Sequence, residues 1–173
     1  PWEEYFMTQA YVTSSRSTCV RRRVGAVIVR DKRIISSGFN GVVSGHPHCT
    51  AERDRYDEDA ITCVRIQNNI PSGQRLDLCR AVHAEQNAIT QAATYGIPIA
   101  GADLYCTTLP CQHCFKLIIA SKISKIYYSG DYDMEQIREL IELESLYGKL
   151  ELINLPFNKE RVAQCLYQVL KNL

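Results

Sequence analysis

A histidine and two cysteines, set in two short motifs, constrain the fold of this chain more than any other feature. The motifs are His83-Ala84-Glu85 and Pro110-Cys111-Gln112-His113-Cys114. One imidazole and two thiolates give Zn²⁺ three of the four ligands it prefers, so a fourth position stays open for water, whose pKa zinc lowers towards about 7. Glu85 is not needed as a ligand and is a carboxylate placed to move protons.

Both motifs lie where helices are expected to begin. A helical pattern runs from His83 to about Tyr95 and is stopped by Gly96, and a second helix, Cys111–Ser121, begins just after Pro110. The positive end of a helix favours thiolate over thiol, which suits metal binding by cysteines. The fold therefore has to bring two helix N-termini face to face.

The first forty residues predict a helix followed by a β-hairpin. Residues 2–15 place apolar side chains near one helical face. The runs Val24–Arg30 and Arg33–Phe39 are apolar and β-branched and are joined by Asp31-Lys32, which predicts a tight antiparallel hairpin. Asn40-Gly41 is expected to end the second strand in a turn.

The second half of the chain alternates strands and helices, which predicts parallel pairing through right-handed crossovers. The sequence therefore predicts an α/β fold, a three-layer α/β/α sandwich around a mixed sheet of about five strands. The expected strands and helices are Ala102–Thr107, Cys111–Ser121, Lys125–Tyr128, Met134–Tyr147 with Asp133 as its cap, Leu150–Asn154 and Asn158–Leu170.

Length and composition indicate one domain spanning residues 1–173, with an irregular Cys/His-rich insert at about 41–80. The net charge of +1 argues against a nucleic-acid partner. No apolar run approaches the ~20 residues that span a membrane, and no signal-peptide pattern is present. Eight cysteines in a chain of this size are interpreted as metal ligands in a reducing compartment, which predicts the cytoplasm, or the host cytoplasm for a viral chain.

Simpler interpretations exist for each motif taken alone. A Cys-x-x-Cys pair also fits a structural zinc knuckle or a redox pair, and Glu85 also fits an ordinary charge in the first turn of a helix. A redox pair explains neither His83 nor Glu85. The combination favours a catalytic metal centre.

The H-x-E…P-C-x-x-C pattern resembles the zinc nucleoside deaminases. Between about Cys19 and Tyr132 the chain is similar to the deoxycytidylate (dCMP) deaminases. This resemblance implies a cytidine-deaminase-like fold, hydrolysis of dCMP to dUMP and ammonia for thymidylate synthesis, activation by dCTP, inhibition by dTTP and a homohexamer. The similar stretches are Arg22–Val29, Gly38-Phe39-Asn40-Gly41, Pro71-Ser72-Gly73 and Cys79–Ile89.

The resemblance also implies roles for single residues. Glu85 is expected to carry protons, and Mg²⁺ is a candidate companion of nucleotide effectors. Gln91 and Thr94 depart from phage-type members, which carry an aromatic residue and an arginine near these positions, so effector control is less secure than catalysis. Substrate contacts are expected from Asn40, Ala84, Tyr128 and Tyr132, and effector contacts from Arg22, Arg23, Gly38, Phe39, Asn40 and Gly41. A plain turn, a solvated basic face and core tyrosines remain alternatives for these residues.

Four further cysteines suggest a second metal site. Some members of the resembled family carry a structural zinc in this part of the chain, and such a site would stabilise the insert directly. The predicted ligands are Cys19, Cys49, Cys63 and Cys79, with His46 or His48 as alternates. Cys106 and Cys165 are interpreted as core residues, and His113 is not expected to be a ligand. Buried thiols without metal are the simpler alternative.

Two competing functions remain open from the sequence. A tRNA adenosine deaminase shares both motifs but needs a basic face for RNA, which the net charge does not favour. A noncatalytic zinc module would bind metal and a partner without needing Glu85. Activity on free dCMP, compared with activity on tRNA, separates these functions.

Overall fold

A mixed five-stranded sheet forms the centre of the structure, a computed structural model that describes residues 1–50, 61–130 and 134–171. Across the sheet the strands follow the order β2 (Arg33–Phe39), β1 (Gly25–Arg30), β7 (Asp103–Cys106), β8 (Lys125–Tyr128) and β9 (Glu151–Asn154). The elements are α1 (Trp2–Ser14), β1 (Gly25–Arg30), β2 (Arg33–Phe39), β3 (Gly41–Val42), β4 (Cys49–Thr50), β5 (Ile61–Thr62), α2 (Val64–Gln67), β6 (Ala81–Val82), α3 (Ala84–Thr94), β7 (Asp103–Cys106), α4 (Gln112–Ala120), β8 (Lys125–Tyr128), α5 (Arg138–Tyr147), β9 (Glu151–Asn154) and α6 (Lys159–Lys171).

The predicted hairpin is confirmed. β1 pairs antiparallel with β2, and the turn residues Asp31 and Lys32 have φ values of 50° and 58°. Two left-handed residues match the twist of the flanking strands, so the hairpin closes in two residues. The turn expected at Asn40-Gly41 is wrong, because Gly41 and Val42 form β3, which pairs antiparallel with β6. Gly41 leaves room there for Thr18, since a Cβ would lie 2.7 Å from Thr18 Oγ1 and the threonine side chain would have to shift.

Parallel pairing in the second half is also confirmed. β7 pairs in parallel with β8, and β8 with β9, while β1 runs antiparallel to both β2 and β7. The helix predicted at Met134–Tyr147 begins as a 3₁₀ turn, Met134–Ile137, and continues as α5. Its predicted cap, Asp133, lies outside the described residues.

The two faces of the sheet are covered by different helices, as a three-layer sandwich requires. Val27, Val29 and Tyr105 pack with Phe6 and Met7 of α1 on one face. The alternate strand residues point to the other face, where α3 and α4 cover them. The buried residues on that face include Ala26, Ile28, Leu104, Ala84, Ala88, Phe115 and Ile118.

The segment between β3 and β6 contributes only short elements to the described structure. β4 pairs in parallel with β5, the single-turn helix α2 follows, and Leu76–Leu78 forms a 3₁₀ turn. Within the ranges that the structure covers, no helix combines the length and apolar character needed to cross a membrane.

Candidate active site

His83, Cys111 and Cys114 meet at two helix starts, as the sequence predicts. His83 directly precedes α3, Cys111 directly precedes α4, and Cys114 lies in the first turn of α4. The Nδ1 atom of His83 is 3.4 Å from Cys111 Sγ and 3.3 Å from Cys114 Sγ. The His83 backbone N–H donates to Gln86 Oε1 at 3.0 Å, which fixes the start of α3.

The separations of these three donor atoms fit a tetrahedral zinc ion. Zinc bonds of about 2.1 Å to nitrogen and 2.3 Å to sulfur at tetrahedral angles place the donor atoms about 3.6–3.8 Å apart. The three donors all lie within 4.8 Å of one another, and among the described residues they form the group of histidine, cysteine or acidic side chains able to hold a metal ion.

A hydrogen bond couples the thiols of Cys111 and Cys114. A hydrogen bond from Cys114 lowers the pKa of Cys111 to about 3, and the same bond raises the pKa of Cys114. A hydrogen bond with Cys111 also raises the pKa of His83. The cluster therefore already favours one thiolate, and a bound cation favours the second.

Glu85 stands beside this cluster in the first turn of α3. Its side chain is buried, with 3% of the residue exposed. Burial raises the pKa of the Glu85 carboxyl, because removal from water disfavours the charged form. A carboxyl group whose pKa is raised by burial holds a proton more readily than an exposed one, which suits a group that accepts and returns a proton during a reaction.

One cavity reaches from the metal-ligand cluster to a basic wall, the name we give to Arg21, Arg22 and Arg65. His83, Ala84, Glu85 and Cys111 line one part of it. The rest of the lining comes from the loop after α1, from the junction of β2 and β3, from the stretch between α2 and β6 including both elements, and from the loop between β7 and α4. These lining residues are Cys19, Arg21, Arg22, Val24, Asn40, Arg65, Ser72, Gly73, Leu76, Cys79, Ala81, Thr108 and Leu109.

Arg65 is the cavity residue that sequence reasoning missed. It lies in α2 and is 6% exposed, which is unusual for an arginine. Its Nη2 atom donates to the Pro71 carbonyl oxygen at 3.2 Å, but its buried Nε has no hydrogen-bond partner among the described residues. Arg21 Nη1 is unpaired in the same sense. In the sequence, Arg65 is an ordinary cation in an irregular segment, and only its burial distinguishes it.

The residues expected to bind substrate or effector separate into two groups. Arg22, Asn40 and Ala84 line the cavity. Tyr128 belongs to the buried core on the α3 and α4 side of the sheet and is absent from the cavity lining, and Tyr132 lies outside the described residues.

The other expected effector residues lie around β2 and in the loop before β1. Gly38 packs against α3, Gly41 packs against Thr18, and the Phe39 carbonyl accepts a hydrogen bond from Asn87 Nδ2 at 2.7 Å. Arg23 is exposed. Gln91 is one of the two residues that depart from the phage-type pattern. Its Oε1 atom accepts a hydrogen bond from the Ser37 backbone N–H at 3.0 Å.

The four cysteines predicted to bind a second metal are only partly brought together. Cys49 interacts electrostatically with Cys63 and Cys79, and Arg80 Nη2 donates to Cys49 Sγ at 3.3 Å. Cys19 lines the active-site cavity. Within the described part of the chain these thiols do not form a group as compact as His83, Cys111 and Cys114, which we call the His83 cluster, and His46 and His48 are exposed.

Comparison with known proteins identifies the family. The family described as the cytidine and deoxycytidylate deaminase zinc-binding region matches residues 1–130, which include every residue of the His83 cluster. The chain belongs to this deaminase family. The zinc-binding character predicted from the motifs is therefore that of the family, and the His83 cluster is the site at which the structure can accommodate the metal.

Relatives within the family include deoxycytidylate deaminases. The chain is 36% identical over 132 residues to the deoxycytidylate deaminase of Mycobacterium phage D29, covering 73% of this chain and 93% of the phage protein. It is 41% identical over 131 residues to ComE operon protein 2 of Bacillus subtilis, covering 76% of this chain and 60% of that protein. The chain spans 38% and 39% of the lengths of the two yeast deoxycytidylate deaminases that it also matches.

A solved structure confirms the fold. The dCMP deaminase of cyanophage S-TIM5, crystallised with dCMP and dUMP, superposes with a TM-score of 0.65 at 29% identity, over 88% of this chain and 96% of the phage chain. The mixed five-stranded sheet with its helices matches this cytidine-deaminase-like fold.

Proposed function

We propose that this protein hydrolyses dCMP to dUMP and ammonia. The observation that carries this proposal is a single cavity holding the His83 cluster, Glu85, and two arginines with buried, unpaired guanidinium nitrogens. The first two features suit hydrolytic deamination of a base, and the arginines suit a phosphate on the same molecule. The names of the relatives support the same substrate.

The proposed chemistry depends on the burial of Glu85. Zinc held by His83, Cys111 and Cys114 would supply the positive charge that makes water a nucleophile near neutral pH. Glu85 accepts a proton from the attacking water and delivers it to N3 of cytosine. As the C4–N bond breaks, Glu85 returns the second proton of the water to the departing amine, so dCMP and water give dUMP and ammonia. The buried carboxyl group ends the cycle in the state in which it began.

The basic wall is proposed to bind the 5′-phosphate. A buried guanidinium N–H without an acceptor is costly, so such groups normally have a partner. Arg65 is held by the Pro71 carbonyl through Nη2, which leaves Nε to meet a ligand. Arg21, which lies in the loop after α1, also lines this cavity and has a second unpaired guanidinium nitrogen. The arginines therefore favour a nucleotide over a nucleoside.

Ammonia release from dCMP, dCTP, CMP and deoxycytidine, each with and without added dCTP as effector, tests the proposal. We expect the highest kcat/KM with dCMP and a much lower value with deoxycytidine, because deoxycytidine lacks the phosphate. Zinc-loaded protein that releases ammonia from none of these compounds would instead support a noncatalytic zinc module. Turnover of tRNA adenosine without turnover of dCMP would support a tRNA deaminase.

The remaining family features are also proposed for this chain. They are activation by dCTP, inhibition by dTTP, Mg²⁺ accompanying these triphosphates, assembly as a homohexamer, and one deaminase domain with its insert at about 41–80. Arg22 and Asn40 at the cavity support a nucleotide contact near β2–β3. Hydrogen bonding of Gln91 to β2 ties α3 to the same strand.

A second, structural zinc is proposed at the cysteines of the insert. The support is that Cys49 lies close enough to Cys63 and Cys79 for their charges to interact. Cys19, His46 and His48 are further candidate ligands. The cysteines with described side chains are all free thiols, which supports a reducing compartment such as the cytoplasm, or the host cytoplasm for a viral chain.

A further inference from the structure

Asn40 lines the cavity and contacts the loop that contributes two arginines to the cavity lining. We call residues 17–24 the arginine loop, because it contains Arg21 and Arg22 of the cavity lining. Asn40 is buried, with 7% of the residue exposed, and so are Ser17 and Val24 at the two ends of the loop. The loop has no regular secondary structure between α1 and β1. Something other than a helix or strand ladder must therefore fix its shape.

The hydrogen bonds of Asn40 supply that constraint. Asn40 Oδ1 accepts from the Val24 backbone N–H at 2.8 Å and lies 2.6 Å from Ser17 Oγ. Asn40 Nδ2 donates to the Arg22 carbonyl oxygen at 2.7 Å. The backbone of Asn40 adds a bond from its N–H to the Val24 carbonyl at 3.1 Å, and its own carbonyl lies 2.8 Å from Ser17 Oγ.

These contacts use most of the bonding capacity of the amide group. An asparagine side chain has two N–H donors and an oxygen with two lone pairs. The arginine loop takes both lone pairs and one of the two N–H donors. Because Asn40 joins the beginning, the middle and the end of the loop, its loss releases Arg21 and Arg22 together.

We propose that Asn40 is a positioning residue that acts through the arginine loop, holding Arg21 and Arg22 in the geometry that recognises the substrate phosphate. This inference rests on the proposed function for the identity of the phosphate-bearing substrate. It assigns Asn40 a role in recognising the phosphate, whereas a direct contact with base or deoxyribose would serve dCMP and deoxycytidine equally.

Ser17 separates these two roles, because it belongs to the same hydrogen-bond network and does not line the cavity. In Ser17→Ala we expect the KM for dCMP to rise about fivefold with kcat nearly unchanged, as loss of one buried hydrogen bond predicts. The kcat/KM for deoxycytidine should stay within about twofold of wild type, because deoxycytidine has no phosphate. This change is smaller than the fivefold effect that loss of the hydrogen bond should have on dCMP. Asn40→Ala should show the same pattern with a larger KM effect. Ser15→Ala is the matched control, because its exposed hydroxyl bonds only within the end of α1.

Amide hydrogen exchange tests the loop itself without any turnover. The Val24 amide donates to Asn40 Oδ1, so its exchange should accelerate in Ser17→Ala and Asn40→Ala and remain slow in Ser15→Ala. Wild-type protein inactive on dCMP would overturn the proposed function, while the exchange of residues 19–24 and the affinity for inorganic phosphate would still decide the role of Asn40. Ser17→Ala with wild-type exchange and wild-type KM would overturn the inference. Equal losses for dCMP and deoxycytidine in Asn40→Ala would do the same.

Discussion

Gly38 of β2 lies directly against the carbonyl of Ala84, the residue between the proposed zinc ligand and the proposed proton carrier. A Cβ at position 38 would overlap the Ala84 carbonyl oxygen and the Ala88 backbone nitrogen. Helix α3 therefore approaches the sheet as closely as a backbone can, and this approach sets the depth of Glu85. The glycine of the Gly-Phe-Asn-Gly motif acts here by packing, which does not require contact with a nucleotide.

Gly38→Ala should force α3 away from β2 and lower both stability and activity. Overpacking of this kind costs about 1–3 kcal/mol. Thermal unfolding and kcat/KM for dCMP measure the two effects. Gly148→Ala is the control, because the atoms nearest its added Cβ belong to the end of the Glu144 side chain, which can move. Equal melting temperatures for the two variants would contradict the packing argument.

Glu85→Gln should retain fold and zinc and reduce kcat by about a hundredfold or more, because the amide cannot accept a proton from water. Ammonia release measures turnover, and elemental analysis measures zinc. Circular dichroism of the variant should match that of wild type. Near-wild-type turnover would remove Glu85 from its proposed role.

Cys111→Ala and Cys114→Ala should each contain one zinc per chain fewer than wild type, because two protein ligands hold the ion too weakly. Cys106→Ala is a matched control, since Cys106 is equally buried but lies outside the cluster of metal donors. Mass spectrometry under native conditions gives the stoichiometry directly. Unchanged zinc content in the Cys111 variant would show that this thiol is not a ligand.

Arg65→Met should raise the KM for dCMP by about tenfold or more, the expected effect of losing a charge-assisted hydrogen bond to phosphate. The kcat/KM for deoxycytidine should change little. Arg75→Met is the control in the same segment, because the Arg75 side chain is 59% exposed and its ion-pair partner among the described residues is Asp77. A similar loss for both substrates would mean that Arg65 supports the fold and does not recognise phosphate.

Cys49→Ser should lower the melting temperature and increase protease sensitivity between β4 and β6, if a second metal ties these cysteines together. The reason is that a shared ion closes long loops, and its loss removes folding free energy. Cys106→Ser should leave the zinc content of this region unchanged. One zinc per chain in fully active protein would reject the second site.

The sequence predicts the elements that depend on local pattern and the ligands that depend on spacing. The hairpin at Asp31-Lys32 and the helix start at His83 follow from short-range chemistry, and the structure confirms both. Gly41 was misjudged, because an Asn-Gly pair usually indicates a turn, and only the proximity of Thr18 shows why glycine is needed in a strand.

Arg65 and Asn40 show the limit of such reasoning more clearly. Nothing near Arg65 in the sequence indicates burial, because arginine is mostly exposed in proteins and its burial here depends on how the segment folds. Asn40 was expected to contact substrate, and that contact stays a prediction. Its bonds to Ser17, Arg22 and Val24 depend on a loop conformation that no periodic pattern describes.

Two parts of the cavity lining come from structurally different parts of the chain, and this difference has an evolutionary consequence. His83, Glu85 and Cys111 are held by helix starts that rest on the buried sheet, whereas Arg65 and Ser72 come from the short elements between β3 and β6. On the proposed function, changes between residues 63 and 79 are therefore expected to alter the choice of substrate while the sheet keeps His83, Glu85 and Cys111 in place. On that proposal, exchange of this segment, in a lineage or by an engineer's graft, is a route to a new substrate that leaves the metal-binding and proton-carrying residues unchanged.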